Sequence, residues 1–177
     1  MTLMRRLGWG LVLYALNFTP VLAADVLLDD SDKMLNQQLE DAPDWEEGLA
    51  KLPAAPKDEN LVPFYVSGIA NNQYAIDQST LDIGKDGVVR YVLVIKTPSG
   101  AKNVSYEGIR CESRQRKIYA TGRDDGSWAQ MLKPQWQAIA GRSLLSYHRA
   151  LADEYFCPIG SIVWSKAQAL QNIKAGW

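Results

Sequence analysis

From residue 64 to about 130 apolar and polar positions alternate with period two, and beyond 144 they recur at spacings of three and four. The first pattern predicts strands and the second predicts helices. Residues 64–67 read as one strand, and 73–83 as two short ones around Gln78 and Ser79. Lys85, Asp86 and Gly87 make a hairpin turn, with glycine where a positive φ is needed. The run 88–95 is apolar on both alternating faces, as a central strand covered on two sides should be. Pro98, Ser99 and Gly100 turn the chain into an antiparallel partner over 101–111. Residues 117–121 form a further strand, followed by a turn at Asp124, Asp125 and Gly126. Loops this short place successive strands side by side and antiparallel.

The chain then becomes helical. Leu144, Leu145, His148, Leu151, Ala152 and Tyr155 share one helical face, which Cys157-Pro158 terminates. A second helix starts at the cap Ser165, with Gln168 as its box partner, and runs to about Lys174 before Gly176. The expected architecture is therefore α+β: an antiparallel β-meander packed by C-terminal helices. Ahead of it, residues 24–62 form an acidic segment that ends in a stretch punctuated by Pro53, Pro56 and Pro63. Ser31 can cap a short helix there, and Asp44 with Glu47 repeats the capping-box spacing. The prolines predict an extended lead-in, either a linker or an arm laid over the domain. The acidic run Asp29, Asp30, Asp32 lacks the spaced ligands and distal Glu of a calcium loop.

Residues 1–23 carry the marks of a secretory signal: Arg5 and Arg6, the apolar stretch 7–16, the helix breaker Pro20, and Val21-Leu22-Ala23 before the cut. The competing reading is an uncleaved anchor, since 18 uncharged residues separate Arg6 from Asp25. Asn17, Thr19 and Pro20 weaken that reading, so cleavage after Ala23 or Ala24 is expected, with a periplasmic destination and no cysteine near the cut to take a lipid. Cleavage leaves a domain over 63–177 behind the 24–62 segment. The whole chain of 177 residues is 47% apolar and 22% charged, a globular composition large enough for one domain. Its formal charge of -1 argues against nucleic acid as a partner.

The inventory for site chemistry is small. Cys111 and Cys157 are the two cysteines, and an exported pair without CxxC spacing reads as a disulfide. His148 is the single histidine, so any general-base scheme runs through it. Its place on an apolar helical face favours a buried histidine bonded to a carbonyl or carboxylate. Glu107, mid-strand beside Gly108, reads either as a site residue or as a cross-strand partner of Arg90 or Arg110. Arg114, Arg116 and Lys117 cluster near a turn and are expected to face solvent. No GxSxG elbow, phosphate loop or dinucleotide motif occurs, and neither a cofactor nor a metal set suggests itself. The tryptophans after residue 23 are spread widely, so most are expected in the core or as staples, with one available to line a groove.

A set of short motifs carries a resemblance. Trp45-Glu46-Glu47, Leu52-Pro53 and Pro63-Phe64-Tyr65-Val66-Ser67 open it, and Asp86-Gly87-Val88-Val89-Arg90-Tyr91 and Ser99-Gly100-Ala101 follow. The run Asn103-Val104-Ser105-Tyr106-Glu107-Gly108-Ile109-Arg110-Cys111 is the most distinctive. Tyr119-Ala120, Gly122-Arg123, Asp125-Gly126, Trp128 and Tyr155-Phe156-Cys157-Pro158 complete it. Over residues 44–175 the chain resembles the CNP1-like family of exported proteins from beta-proteobacteria and relatives. The resemblance implies an envelope location and one compact domain, and it carries over no catalytic residue. A looser likeness, through Asp77, a Ser-Thr-Leu step and the DG turn, is to small envelope adhesin and lysozyme-inhibitor domains.

The function expected from these features is a non-enzymatic binding or envelope-maintenance module, with an envelope protein or a cell-wall component as its partner. The alternative is an enzyme using Glu107, Arg110 and His148 in a cleft between sheet and helix.

Overall fold

Seven strands run up and down through the described residues of the computed structural model, which are 44–139 and 146–176. They are β1 (Leu61–Phe64), β2 (Gln73–Ile83), β3 (Val88–Lys96), β4 (Lys102–Arg110), β5 (Gln115–Gly122), β6 (Trp128–Gln130) and β7 (Gln137–Ala138). The order β1-β2-β3-β4-β5-β6 follows the chain, every pairing is antiparallel, and β7 shares the outer edge of β5 with β6. The helices are α1 (Tyr147–Ala150), which widens into a π-helical stretch (Leu151–Phe156), and α2 (Lys166–Ala175). This is the expected α+β meander with C-terminal helices. The proposed signal at 1–23, the Ser31 helix, Leu144 and Leu145 lie outside the described residues.

Strand β3 is the axis of the sheet, buried along seven of its nine positions. Its alternation sends Val89, Tyr91 and Leu93 toward the helices, where they join Ile109, Leu151, Tyr155, Phe156 and Ile173. Val92 and Val94 point the other way and pack with Tyr106, Tyr119 and Ala120. A sheet needs both faces covered when both are apolar. The helices cover one, and the segment 45–57 covers part of the other.

That segment is an arm laid over the domain and not a free linker. It has no regular secondary structure, so the capping box at Asp44 and Glu47 starts no helix. Glu47 is used elsewhere: Lys117 Nζ donates to it at 2.6 Å, Tyr119 OH at 2.8 Å and Trp136 Nε1 at 3.2 Å. Lys117 therefore does not face solvent. Trp45 Nε1 donates to the Asp86 carbonyl at 2.7 Å, and Trp128 Nε1 donates to the Pro53 carbonyl at 2.8 Å. Trp164, by contrast, is exposed.

The strands depart from the expected alternation in several places. The first strand is Leu61–Phe64, which places Pro63 at an exposed position of an edge strand. The two strands expected over 73–83 are one, with a bulge between Asp77 and Asp82. Asp77 folds back there, accepting from Ser79 N at 2.8 Å and Ser79 Oγ at 2.6 Å, while Thr80 Oγ1 fills the ladder gap by accepting from Val92 N. A second bulge, in β5, inserts Tyr119 between the partners of Tyr106 and Glu107.

Candidate functional site

Parity along β4 decides which side chains can meet. Ser105, Glu107 and Ile109 point to the helices, and Tyr106, Gly108 and Arg110 to the arm. Glu107 lies opposite Tyr91 in the register, so neither Arg90 nor Arg110 becomes its cross-strand partner. The two acid–base residues expected at a site, Glu107 and His148, come together, and Arg110 stays on the far side of the sheet. There its guanidinium stacks on the Trp45 ring at 3.9 Å and pairs with exposed Glu112. Cys111 and Cys157 form the disulfide, tying the end of β4 to the end of the π-helical stretch with 5.5 Å between Cα atoms.

Glu107 is fully buried. Tyr91 OH donates to its Oε2 at 3.1 Å, and His148 Nε2 contacts the same oxygen at 2.9 Å. Ser105 Oγ donates to Oε1 at 2.6 Å and Tyr147 OH reaches it at 3.4 Å. An ionised carboxylate only accepts, so against that form the contact is a donation from His148 Nε2–H. Ser146 caps α1 by accepting from Arg149 N, and this fixes the first turn that presents Tyr147 and His148. Burial, with Glu107 beside them, pushes the phenols of Tyr91 and Tyr147 above the ordinary tyrosine range. Both stay neutral donors. The signal that could have revealed this cluster is parity alone, because Tyr91, Ser105 and Glu107 share a face once β3 and β4 are paired.

A groove of about 640 Å³ opens beside this cluster. Ser105, Glu107 and Tyr147 lie at one end, and Ile118, Asn103 and Thr121 extend it along the strands. On the arm side a recess of about 260 Å³ lies between Ala55, Pro56 and Trp128. Among the described residues no three His, Cys, Asp or Glu side chains gather as metal ligands would.

A second polar cluster holds the arm. Arg90, buried on the arm face, forms a two-pronged pair with Asp86 and donates to the Gly48 carbonyl at 3.1 Å. Asp86 accepts in turn from Gly48 N at 2.7 Å. Gly108 makes room for this packing, since a Cβ there would sit 2.7 Å from the Tyr119 hydroxyl that holds Glu47. Burial alone would raise the Glu47 carboxyl, but hydrogen bonds from Lys117 and Tyr119, the Lys117 charge and Trp136 outweigh it and hold it low. Burial likewise opposes, and the Arg90 and Gly48 contacts reverse, the shift at Asp86.

Carboxylates depressed on folding contribute stability above their unfolded pKa, and that contribution is lost as pH falls through the folded values. The arm should therefore loosen in acid, below the ordinary values of 4.5 for Glu and 3.8 for Asp. Glu47→Ala should cost about 2 kcal/mol, discounted from a fully buried charged hydrogen-bond set because Glu47 is partly solvated. Tryptophan emission during acid titration reads the loosening through Trp45 and Trp136. Identical acid profiles for the wild type and Glu47→Gln would exclude this clamp.

No curated protein and no solved structure matches the chain. The sequence pattern of the CNP1-like family does match, over residues 40–174. That span takes in the arm, the whole meander, the Glu107–His148 cluster and both cysteines, and the chain belongs to the CNP1-like family.

Proposed function

We propose that the protein is exported to the periplasm and acts there as a binding module, taking an envelope component into the groove beside Ser105 and Tyr147. The observation that carries the binding part is the groove itself, whose volume falls in the range of small-ligand sites and whose lining mixes apolar and hydrogen-bonding side chains. The signal-like pattern at 1–23 supports the export part, and the disulfide suits an oxidising compartment.

An enzyme in the same groove is the second reading, drawn from the Glu107–His148 contact. Both carboxylate oxygens already have two partners each, which leaves no acceptor site aimed at a ligand. Binding is the reading this geometry supports better.

Cell fractionation and a binding assay test the two parts. The protein recovered from the periplasm should begin at Ala24 or Asp25, and full-length chain in the cytoplasmic fraction would overturn export. The mature protein should co-sediment with isolated envelope, and the paired substitution Asn103→Ala, Thr121→Val at two exposed positions should weaken retention about fivefold or more, roughly 1 kcal/mol. Equal retention of that variant would reject the groove.

A further inference from the structure

We infer that the groove and the arm-side recess are two arms of one oligosaccharide-binding cleft, with Trp128 as its stacking surface; this rests on the groove being a binding site, as proposed above. The two hollows share Lys102, Val104, Gly122, Arg123 and Asp124. They therefore border the same strand ends, one on each face of the sheet, so a ligand wrapping those ends would reach both.

Trp128 is fixed beside those strand ends. Its indole N–H is committed to the Pro53 carbonyl, and its ring packs near Tyr106 at 6.4 Å, yet it lines the recess. A pre-oriented aromatic surface costs little ordering on binding and suits the apolar face of a sugar ring. Beside it the Arg123 guanidinium is oriented by the Ser127 hydroxyl at 3.2 Å and the Trp128 carbonyl at 3.1 Å. Asp124 adds an acceptor, and Asn103 and Thr121 both donate and accept.

The charge pattern narrows the class. Lys102 already pairs with Asp58 at 3.2 Å, the Arg123 charge has the Asp125 carboxylate beside it, and Asp124 adds a second acid to the shared lining. A phosphate or polyanion would meet Asp124 with little free positive charge to balance it. An apolar ligand would strip water from hydroxyl, amide and carboxylate groups without replacing their hydrogen bonds. A hydroxyl-rich chain of sugar rings matches both the paired donors and acceptors and the flat aromatic surface.

The mature protein should be titrated with three uncharged probes: the β-1,4-linked tetramer of N-acetylglucosamine, a maltotetraose and a cellotetraose. Tryptophan emission and calorimetry are the readouts, with inorganic phosphate and tetraglutamate as controls. At least one sugar should bind saturably with a millimolar or tighter Kd. Asp124→Ala should weaken it about tenfold, equal to 1.4 kcal/mol. Trp128→Phe, which keeps an aromatic surface, should retain binding heat while abolishing the emission change. Failure of all three sugars up to about 10 mM, roughly tenfold above a millimolar Kd, overturns the inference. Unchanged behaviour of both variants does so as well. If the sugars fail while the Asn103, Thr121 variant still loses envelope retention, the groove stands and only the ligand class falls; if retention is unaffected, the groove reading itself falls.

Discussion

Removing the Cys111–Cys157 bridge by the double substitution Cys111→Ser, Cys157→Ser is expected to lower stability by about 4 kcal/mol, the chain-entropy cost of releasing a loop of this size. The cysteines are 46 positions apart, and between them lie β5, β6, β7 and the first helical segment. The loss acts chiefly on the unfolded chain, so the folded contacts should survive: Tyr155 and Phe156 remain buried against Phe64 and Tyr91 without help from the sulfurs. For a domain of this size the change corresponds to a fall in Tm on the order of 10–15 °C. Wild-type protein melted in reductant should match the double variant melted without it. A drop of only about 1 kcal/mol, no more than an average point substitution causes, would show that residual structure in the unfolded chain already holds the loop closed.

The order and direction of the strands were legible because each depends on local pattern. Val88 to Ile95 is apolar at every position except Arg90, and turn residues stand at Asp86-Gly87, Ser99-Gly100 and Asp125-Gly126. The observed φ of 74° at Gly87 is a value that glycine adopts without steric cost. The cap Ser165 was legible for the same reason, and it accepts from Gln168 N as its spacing requires. The arm was not. Asp44 and Glu47 have the spacing of a helix start, but the partners that take Glu47 are 70 to 89 positions away in the chain. No window of local sequence contains that competition, and tertiary bonds overrode the local preference. At the site, alternation could separate Glu107 from Arg110, because neighbours three apart on a strand face opposite ways. It could not pair Glu107 with His148, since that contact depends on where α1 lands on the sheet.

Glu107→Ala is expected to be as damaging as loss of the disulfide, at about 3–5 kcal/mol, because it leaves several buried donors without their acceptor and opens a cavity. Four side chains converge on that carboxylate from three elements: Tyr91 from β3, Ser105 from β4, and Tyr147 and His148 from α1. It is therefore the polar joint between sheet and helix. Glu107→Leu should be nearly as costly as alanine although it fills the space, since leaving several buried donors unpaired costs more than the cavity does. Glu107→Gln should be milder, at about 1–2 kcal/mol, because the amide keeps one acceptor and its NH2 can donate to a hydroxyl or to neutral imidazole. A double-mutant cycle with His148→Leu separates packing from pairing. If the joint is as described, the two substitutions together should cost clearly less than their sum, with a coupling of at least about 1 kcal/mol. Additive losses would mean that His148 is held by its apolar neighbours alone, and Glu107 would then be a solitary buried acid served by the tyrosines and Ser105.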